Sequence, residues 1–459
     1  MNNKFSVIDL FAGCGGLSEG FAQAGFRVIA QVEMDKWACE TLKTRQLYYR
    51  LRGAGQMRIY HRLLRERISR DDIFEKFPGI KQSVEHSIVQ AEFTRENLDT
   101  VLNRIDASRA FHNAPKVHVV VGGPPCQPYS LVGRSRDPER MESDTRHFLY
   151  EYYLRILEKL QPDFFVFENV PGLITASIKG KQTFTKMLQD FKSISPAYNI
   201  APSFDEYEKN PHQYVLDSSN YGVPQKRKRI IFIGYKESLL DIKPRIKNVF
   251  KKIINPTIPE FGGRVVEDAI RDLPPLQPGE GDDEWYGGYS TEALTEYQRK
   301  MRRGSPGVLN HRARHHMQND LSRYRFFIEH HLNGNGAADL IDLLAERPEL
   351  APEHANLDEF VDRFKVQWWN SPAYTIMAHI SKDGHYYIHP DLNQCRSFTV
   401  REAARCQSFP DNYKFEGPRT EQFRQVGNAV PPMLSHVIAL NISCELKKIY
   451  VSQSSNKQI

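Results

Sequence analysis

Phe5 to Leu10 is a short, mostly apolar run. It stops at Phe11-Ala12-Gly13-Cys14-Gly15-Gly16, and apolar residues then recur at helical spacing at Leu17, Phe21 and Ala24. Strand, glycine turn, helix is the feature that most restricts how this chain can fold. The turn falls at the carboxyl end of a strand, where open α/β sheets carry their ligands, and glycines there let the backbone approach a ligand closely. The alternation continues along the chain. Val28 to Val32 reads as a second strand, followed by a helix through Trp37, Cys39 and Leu42. Val117 to Val121, Phe164 to Phe167 and Ile230 to Ile233 read as further buried strands. Between them Phe148, Tyr152, Ile156 and Leu160 share a helical face, with Asp144 or Thr145 as its cap. Strands alternating with helices predict an α/β fold, a Rossmann-like parallel sheet with helices on both faces.

The pattern covers only part of the 459 residues. Residues 1–244 read as the catalytic and cofactor-binding domain, interrupted by a basic, mainly helical insertion at about 45–88. Residues 245–395, rich in proline, histidine and Gly-Gly pairs, read as a smaller, irregular second domain. From 396 to 459 helical patterning returns, as expected of a segment coming back to the first domain. Hydrophobic residues at 40% and charged residues at 26% exclude a collagen-like or disordered chain. No apolar run approaches the ~20 residues of a membrane span, and the N-terminus lacks a signal-peptide pattern. Six cysteines without a C-x-x-C pair suggest free thiols and a cytoplasmic protein.

Net charge is only +6, but its distribution is uneven. Lys43 to Arg70 holds nine Lys/Arg against Glu66 alone, and Arg299 to Arg325 holds eight against Asp320 alone. Two one-signed stretches point to a polyanionic partner. The cluster His311, His315 and His316 has no ordered ligand set beside it, so no metal is expected.

Glu33 closes the second strand, 24 residues after Asp9, where an acid can accept hydrogen bonds from both ribose hydroxyls of a nucleoside. The loop fits a phosphate-binding G-x-G-x-x-G poorly, which favours S-adenosylmethionine over NAD. Gly122-Gly123-Pro124-Pro125-Cys126 follows directly on a buried strand, and its prolines fix the backbone where that strand ends. Phe164-Phe-Val-Phe ends in Glu168, and an acid closing a buried strand is costly unless it is exposed or functional.

With these elements the chain resembles the C5-cytosine-specific DNA methyltransferases, of the bacterial restriction-modification type. Phe11–Leu17 resembles their cofactor loop, Pro124–Ser130 their Pro-Cys motif and Glu168-Asn169-Val170 their Glu-Asn-Val motif. Gln225-Lys-Arg227-Lys-Arg229 resembles the Gln-x-Arg-x-Arg motif, after Asn220-Tyr-Gly-Val-Pro. Thr399 to Asp411 and Gln425-Val-Gly427-Asn428-Ala-Val430 resemble the two C-terminal motifs. Two departures stand out. Ala91-Glu92-Phe93 takes the place of the usual Gly-Asp-Ile or Gly-Asp-Phe, and Met34 that of an aromatic residue.

The resemblance implies methyl transfer from S-adenosylmethionine to C5 of a flipped cytosine in duplex DNA. Cys126 would add to C6, Glu168 would hold the N3/N4 edge, and Arg227 and Arg229 would contact the base oxygen and neighbouring phosphates. Phe11, Gly13, Cys14, Gly16, Glu33, Met34, Glu92, Phe93, Pro125, Asn428 and Val430 would surround the cofactor. Ser130, Arg227, Arg229, Arg312 and Arg314 would meet DNA, and the polar stretch Gly133–Arg146 would close over it. Residues 245–395 would recognise the target. A monomer associated with the nucleoid and a separately acting cognate restriction endonuclease complete the expectation. An RNA cytosine methyltransferase on the same scaffold and a non-catalytic DNA-binding module are the alternatives, with an NAD dehydrogenase a remote third.

Overall fold

The apolar runs pair with one another. A computed structural model describes residues 5–125, 149–178, 181–201, 210–242, 253, 263–353 and 361–455. In it β1 (Ser6–Leu10), β2 (Arg27–Glu33), β3 (Ile88–Gln90), β4 (Val119–Gly122) and β5 (Phe164–Asn169) run parallel. The strand Lys228–Lys236 joins β5 antiparallel and pairs on its other side with Tyr198–Ala201 and Val215–Asp217. The order β3-β2-β1-β4-β5 reverses direction between β1 and β4. The glycine turn after β1 and the Gly122-Gly123-Pro124-Pro125 turn after β4 therefore meet at the switch point of an α/β sheet.

Each face of the sheet has its own core. On one, α6 (Leu98–Phe111) and the helices Leu149–Leu160 and Thr183–Ser193 bury Ile105, Ile156 and Phe191 against Ile8, Val120 and Phe165. On the other, α1 (Gly16–Gln23) and the last helix, Pro432–Ser455, bury Phe21, Leu434 and Ile438 against Val7, Val121 and Val166. Buried on both faces, the strands read as continuous apolar runs. The two helices meet at glycines. A Cβ at Gly16 would overlap the Val430 carbonyl, and one at Gly20 would overlap the backbone at Pro432 and His436.

The second region shares its core with part of the C-terminal segment. Helices Val400–Cys406 and Arg419–Asn428 share one core with Val266, Ile270, Tyr297 and Ile376, so residues from about 396 to 430 floor the second region. From the C-terminal segment, the helix Pro432–Ser455 covers the sheet beside α1. Charge reinforces this floor, because fully buried Arg405 pairs with Asp272 at 2.8 Å and Asp411 at 2.6 Å. A hairpin of Gly281–Gly287 with Val308–Arg312 stands beside it.

The basic insertion folds as helices. α2 (Lys36–Gly53) is followed by α3 (Met57–Leu64), α4 (Arg70–Lys76) and α5 (Pro78–Ser87). Their core of Leu47, Leu51, Tyr60, Leu64 and Phe74 includes Leu309 of the hairpin. Tyr60 donates its hydroxyl to the Asn412 carbonyl at 2.9 Å, and the His61 ring lies 3.2 Å from the Gly304 carbonyl. The insertion therefore props the second region against the first.

Candidate active site at the sheet's switch point

The turn after β1 needs backbone that most residues avoid. Phe11, Gly13 and Gly15 have φ of 56°, 53° and 88°. Glu33 holds it in place, with Oε2 accepting from the Gly13 N–H at 2.7 Å and Oε1 from the Met34 and Asp35 N–H groups at 2.9 and 2.8 Å. Burial pushes the Glu33 carboxyl up, and these backbone donors pull it down. Each carboxylate oxygen has two lone pairs, so Oε2 keeps accepting capacity for a ribose hydroxyl. The Phe11 and Phe93 rings lie 4.7 Å apart, exposed Glu92 stands next to Phe93 just past β3, and Met34 is 58% exposed. Phe11, Glu33, Met34, Glu92 and Phe93 thus gather at the carboxyl ends of β1 to β3.

Beneath the turn, Asp9 is fully buried. One of its oxygens accepts from the Ser18 N–H at 3.2 Å, the other has no hydrogen-bond partner, and burial pushes its carboxyl up to about 7. Ser18 passes this network on to Gln31 and Gln46 through bonds of 2.7 Å each. The same aspartate interrupts an apolar run in the sequence, but nothing in one dimension points to Gln31 or Gln46.

At the next strands the backbone is crowded into place. A Cβ at Gly123 would collide with the Glu168 carboxylate. Asn169 donates its side-chain amide to the Pro124 carbonyl at 3.2 Å, tying the end of β5 to the turn after β4. Glu168 itself lies 3.0 Å from Nε of Arg229. Burial raises its pKa, opposed by the charges of Arg229 and Arg227, and the net direction is up. Cys126, Ser130 and the stretch 133–146 lie outside the described residues.

Three of the expected residues are buried and bonded to backbone carbonyls. Arg227 is fully buried, and its two terminal nitrogens donate to the Ile376 carbonyl at 2.6 Å and the Gly427 carbonyl at 3.0 Å. It joins the second region and the C-terminal motif to the sheet, and its charge acts on Glu168. Arg314 is also buried. Its guanidinium lies over the Phe423 ring and donates to the carbonyls of Ile380, Ser381 and Lys382, so it holds a loop. Cys14 turns its thiol to the Gln425 carbonyl at 3.3 Å. Desolvated guanidiniums need several acceptors, and carbonyl cages supply them.

The remaining positions divide. Arg312 is half-exposed and pairs with Asp283 at 3.1 Å. Asn428 and Pro125 are exposed, whereas Val430 is buried against Gly16. His311 bridges Thr399 and the Pro274 carbonyl, and His316 approaches Ser397. Both histidines are parts of the packing. One functional contact had no sequence signal at all. Residues Ala373 to Ile376 lie along the Gln-x-Arg-x-Arg segment, with Gln225 accepting from the Ile376 N–H at 2.7 Å.

Comparison with known proteins agrees with this geometry. The model of the C-5 cytosine-specific DNA methylase family matches residues 5–52 and 87–444, leaving out α3, α4 and nearly all of α5. The chain is 40% identical over 451 residues to the type II methyltransferase M.Bpa9945I of Bacillus paralicheniformis, covering 94% of this chain and 97% of that one. It is 30% identical over 462 residues to the type II methyltransferase M.DdeI of Desulfomicrobium norvegicum, covering 99% and 92%. An E. coli crystal structure described as a "putative DNA modification methyltransferase encoded within prophage" superposes with a TM-score of 0.60 at 24% identity, over 97% of this chain and 100% of that one. That likeness bears on the fold alone. With a family model spanning both the glycine turn and the Glu168–Arg229 pair, and relatives of this extent, the chain belongs to the C-5 cytosine-specific DNA methylase family.

Proposed function

We propose that the protein methylates C5 of a flipped cytosine in a specific duplex DNA site, with S-adenosylmethionine as methyl donor, and serves as the modification enzyme of a restriction-modification system. The observation that carries this reading is the Glu168–Arg229 pair, set beside the Gly123-Pro124-Pro125 turn that leads to Cys126. Cytosine C5 is a weak nucleophile inside a base stack, so the base is extruded first. The Cys126 thiolate adds to C6, which makes C5 nucleophilic. Glu168, whose carboxyl burial pushes up, donates to N3 in its protonated form, and Arg229 orients that carboxyl and reaches the base oxygen. After methylation C5 loses its proton and the thiol leaves, restoring the aromatic ring.

The donor set at the switch point fits S-adenosylmethionine. Phe11 and exposed Met34 offer an apolar edge for adenine, and Glu33 and Glu92 carry acceptors for ribose and amino groups. When bound, the donor supplies an electrophilic methyl group on a sulfonium. Phe11, Gly13, Gly16, Glu33, Met34, Glu92, Phe93, Pro125, Asn428 and Val430 would hold it. Residues 245–395 would read the target, and Arg312 would contact phosphate. We read the protein as a monomer acting on DNA in the cytoplasm, with a cognate endonuclease acting separately.

Bisulfite sequencing of host DNA after expression tests the reading. Wild-type protein should protect cytosines within one short sequence, and Cys126→Ser should protect none while binding S-adenosylmethionine within a few-fold of wild type. Transfer of labelled methyl to tRNA in place of duplex DNA would overturn it.

A further inference from the structure

The segment Ala373 to Ile376 belongs to the second region but is clasped to the catalytic one. The Ala373 N–H donates to the Pro224 carbonyl at 3.0 Å, and the Lys226 N–H donates to the Ala373 carbonyl at 2.9 Å. Thr375 donates its hydroxyl to the Lys226 carbonyl at 2.6 Å, and Arg227 reaches the Ile376 carbonyl. Ala373 and Ile376 face the interior at 1% and 0% exposure, and of the two residues between them Thr375 is half-buried while Tyr374 faces out. It has 42% of its surface exposed and its own N–H held by Gln367 Oε1 at 2.9 Å. Tyr374 thus presents a large aromatic ring to solvent from a backbone pinned on both sides.

Its neighbours show what the ring suits. Lys365 Nζ sits 4.8 Å from the Tyr374 ring centre and 4.7 Å from that of Tyr386, and the two rings lie 6.0 Å apart at 63°. Lys226 and Lys228, both exposed, adjoin the same segment. Arg229, two residues beyond Arg227, pairs with Glu168. Rigid aromatic faces beside cations suit a nucleic acid, because bases stack on rings while cations neutralise phosphates. Extruding a cytosine leaves its neighbours unstacked at a cost of a few kcal/mol, and side chains inserted at such steps recover part of it. The Lys365–Asp362 pair, at 2.9 Å, lies at the surface and exchanges readily for a phosphate.

Resting on the function proposed above, we infer that Tyr374 stacks against the duplex beside the extruded cytosine and that Lys365 neutralises the adjoining phosphate. The test uses the full-length protein with a duplex carrying the mapped target and 2-aminopurine next to it, whose fluorescence reports unstacking. Tyr374→Ala should weaken DNA binding about 10- to 100-fold, the range that loss of one stacked base gives, and should change the 2-aminopurine signal. Tyr374→Phe, which keeps the ring face, should stay within about three-fold of wild type. Lys365→Gln should make the salt slope of binding shallower by about one unit. S-adenosylmethionine binding should be unchanged in all three. DNA affinity and fluorescence of Tyr374→Ala equal to wild type would overturn the inference while leaving the methyltransferase reading intact. Equal losses in the Phe and Ala variants would also overturn it, by showing a purely structural role. A wild-type protein inactive on every duplex would instead overturn the function itself.

Discussion

Nε of Arg229 lies 3.0 Å from the Glu168 carboxylate, across two antiparallel strands that meet where the parallel sheet ends. The pair sets a balance, because burial raises the carboxyl's pKa and the guanidinium lowers it. If protonated Glu168 is the donor to N3, the single-turnover rate falls as pH rises through its folded-state value. Arg229→Ala removes the opposing charge, so this falling limb should move to higher pH. Glu168→Gln should remove the limb and slow methyl transfer by about 10²–10⁴-fold, the usual contribution of a positioned acid. The stability sign follows. A raised carboxyl favours folding most below its unfolded value, and this contribution is lost as pH rises to the folded one. An unmoved limb in Arg229→Ala would show that another group titrates.

Gly16 and Gly13 sit in one turn but should fail differently. A Cβ at Gly16 would overlap the Val430 carbonyl, whereas one at Gly13 meets nothing within 4 Å and only strains a φ of 53°. Gly16→Ala should therefore cost about 1–3 kcal/mol in urea unfolding and weaken S-adenosylmethionine binding as α1 shifts. Gly13→Ala should cost about 1–2 kcal/mol through its left-handed backbone alone. Equal losses at the two sites would mean that contact with Val430 does not fix the helix.

Both residues are visible in the sequence as glycines after a strand, and only the fold separates their roles. The same limit explains the arginines. The sheet, the glycine turn and Glu168 were legible because burial on both faces writes continuous apolar runs, and because an acid or glycine ending such a run stands out. A buried guanidinium and a phosphate-binding one are the same letter in a basic stretch. Arg227 and Arg314 differ from Arg312 only in the carbonyls the folded chain brings to them, from residues 149 and 200 positions away for Arg227. The Ala373–Ile376 clasp likewise depends on pairing between distant segments.

Arg312 and Arg314 can be told apart by salt. Arg312, half-exposed, should act on phosphate, so Arg312→Ala makes the slope of log affinity against log salt shallower by about one unit. Arg314→Ala should leave the slope unchanged and lower Tm, because it strands the carbonyls of Ile380 and Lys382. A shallower slope with unchanged Tm in Arg314→Ala would return that residue to the DNA interface.

α3, α4 and nearly all of α5 lie outside the span matched by the family model, yet they share a core with the hairpin. Arg62 on α3 and Arg65 just past its end are exposed, and Arg65 lies 5.8 Å over the Trp285 ring of that hairpin. This placement favours a brace. Replacing Arg62 and Arg65 by alanine should leave the salt slope of DNA binding as it is. Leu64→Ala and Leu309→Ala, each fully buried, should each cost about 2–5 kcal/mol. As members of one cluster they should be non-additive in the double variant by about 0.5–3 kcal/mol. Additive losses would mean that the insertion and the hairpin fold independently. A shallower slope in the arginine variant would make the insertion a DNA-binding arm. Coupling with an unchanged slope assigns it to holding the second region at a fixed angle to the sheet.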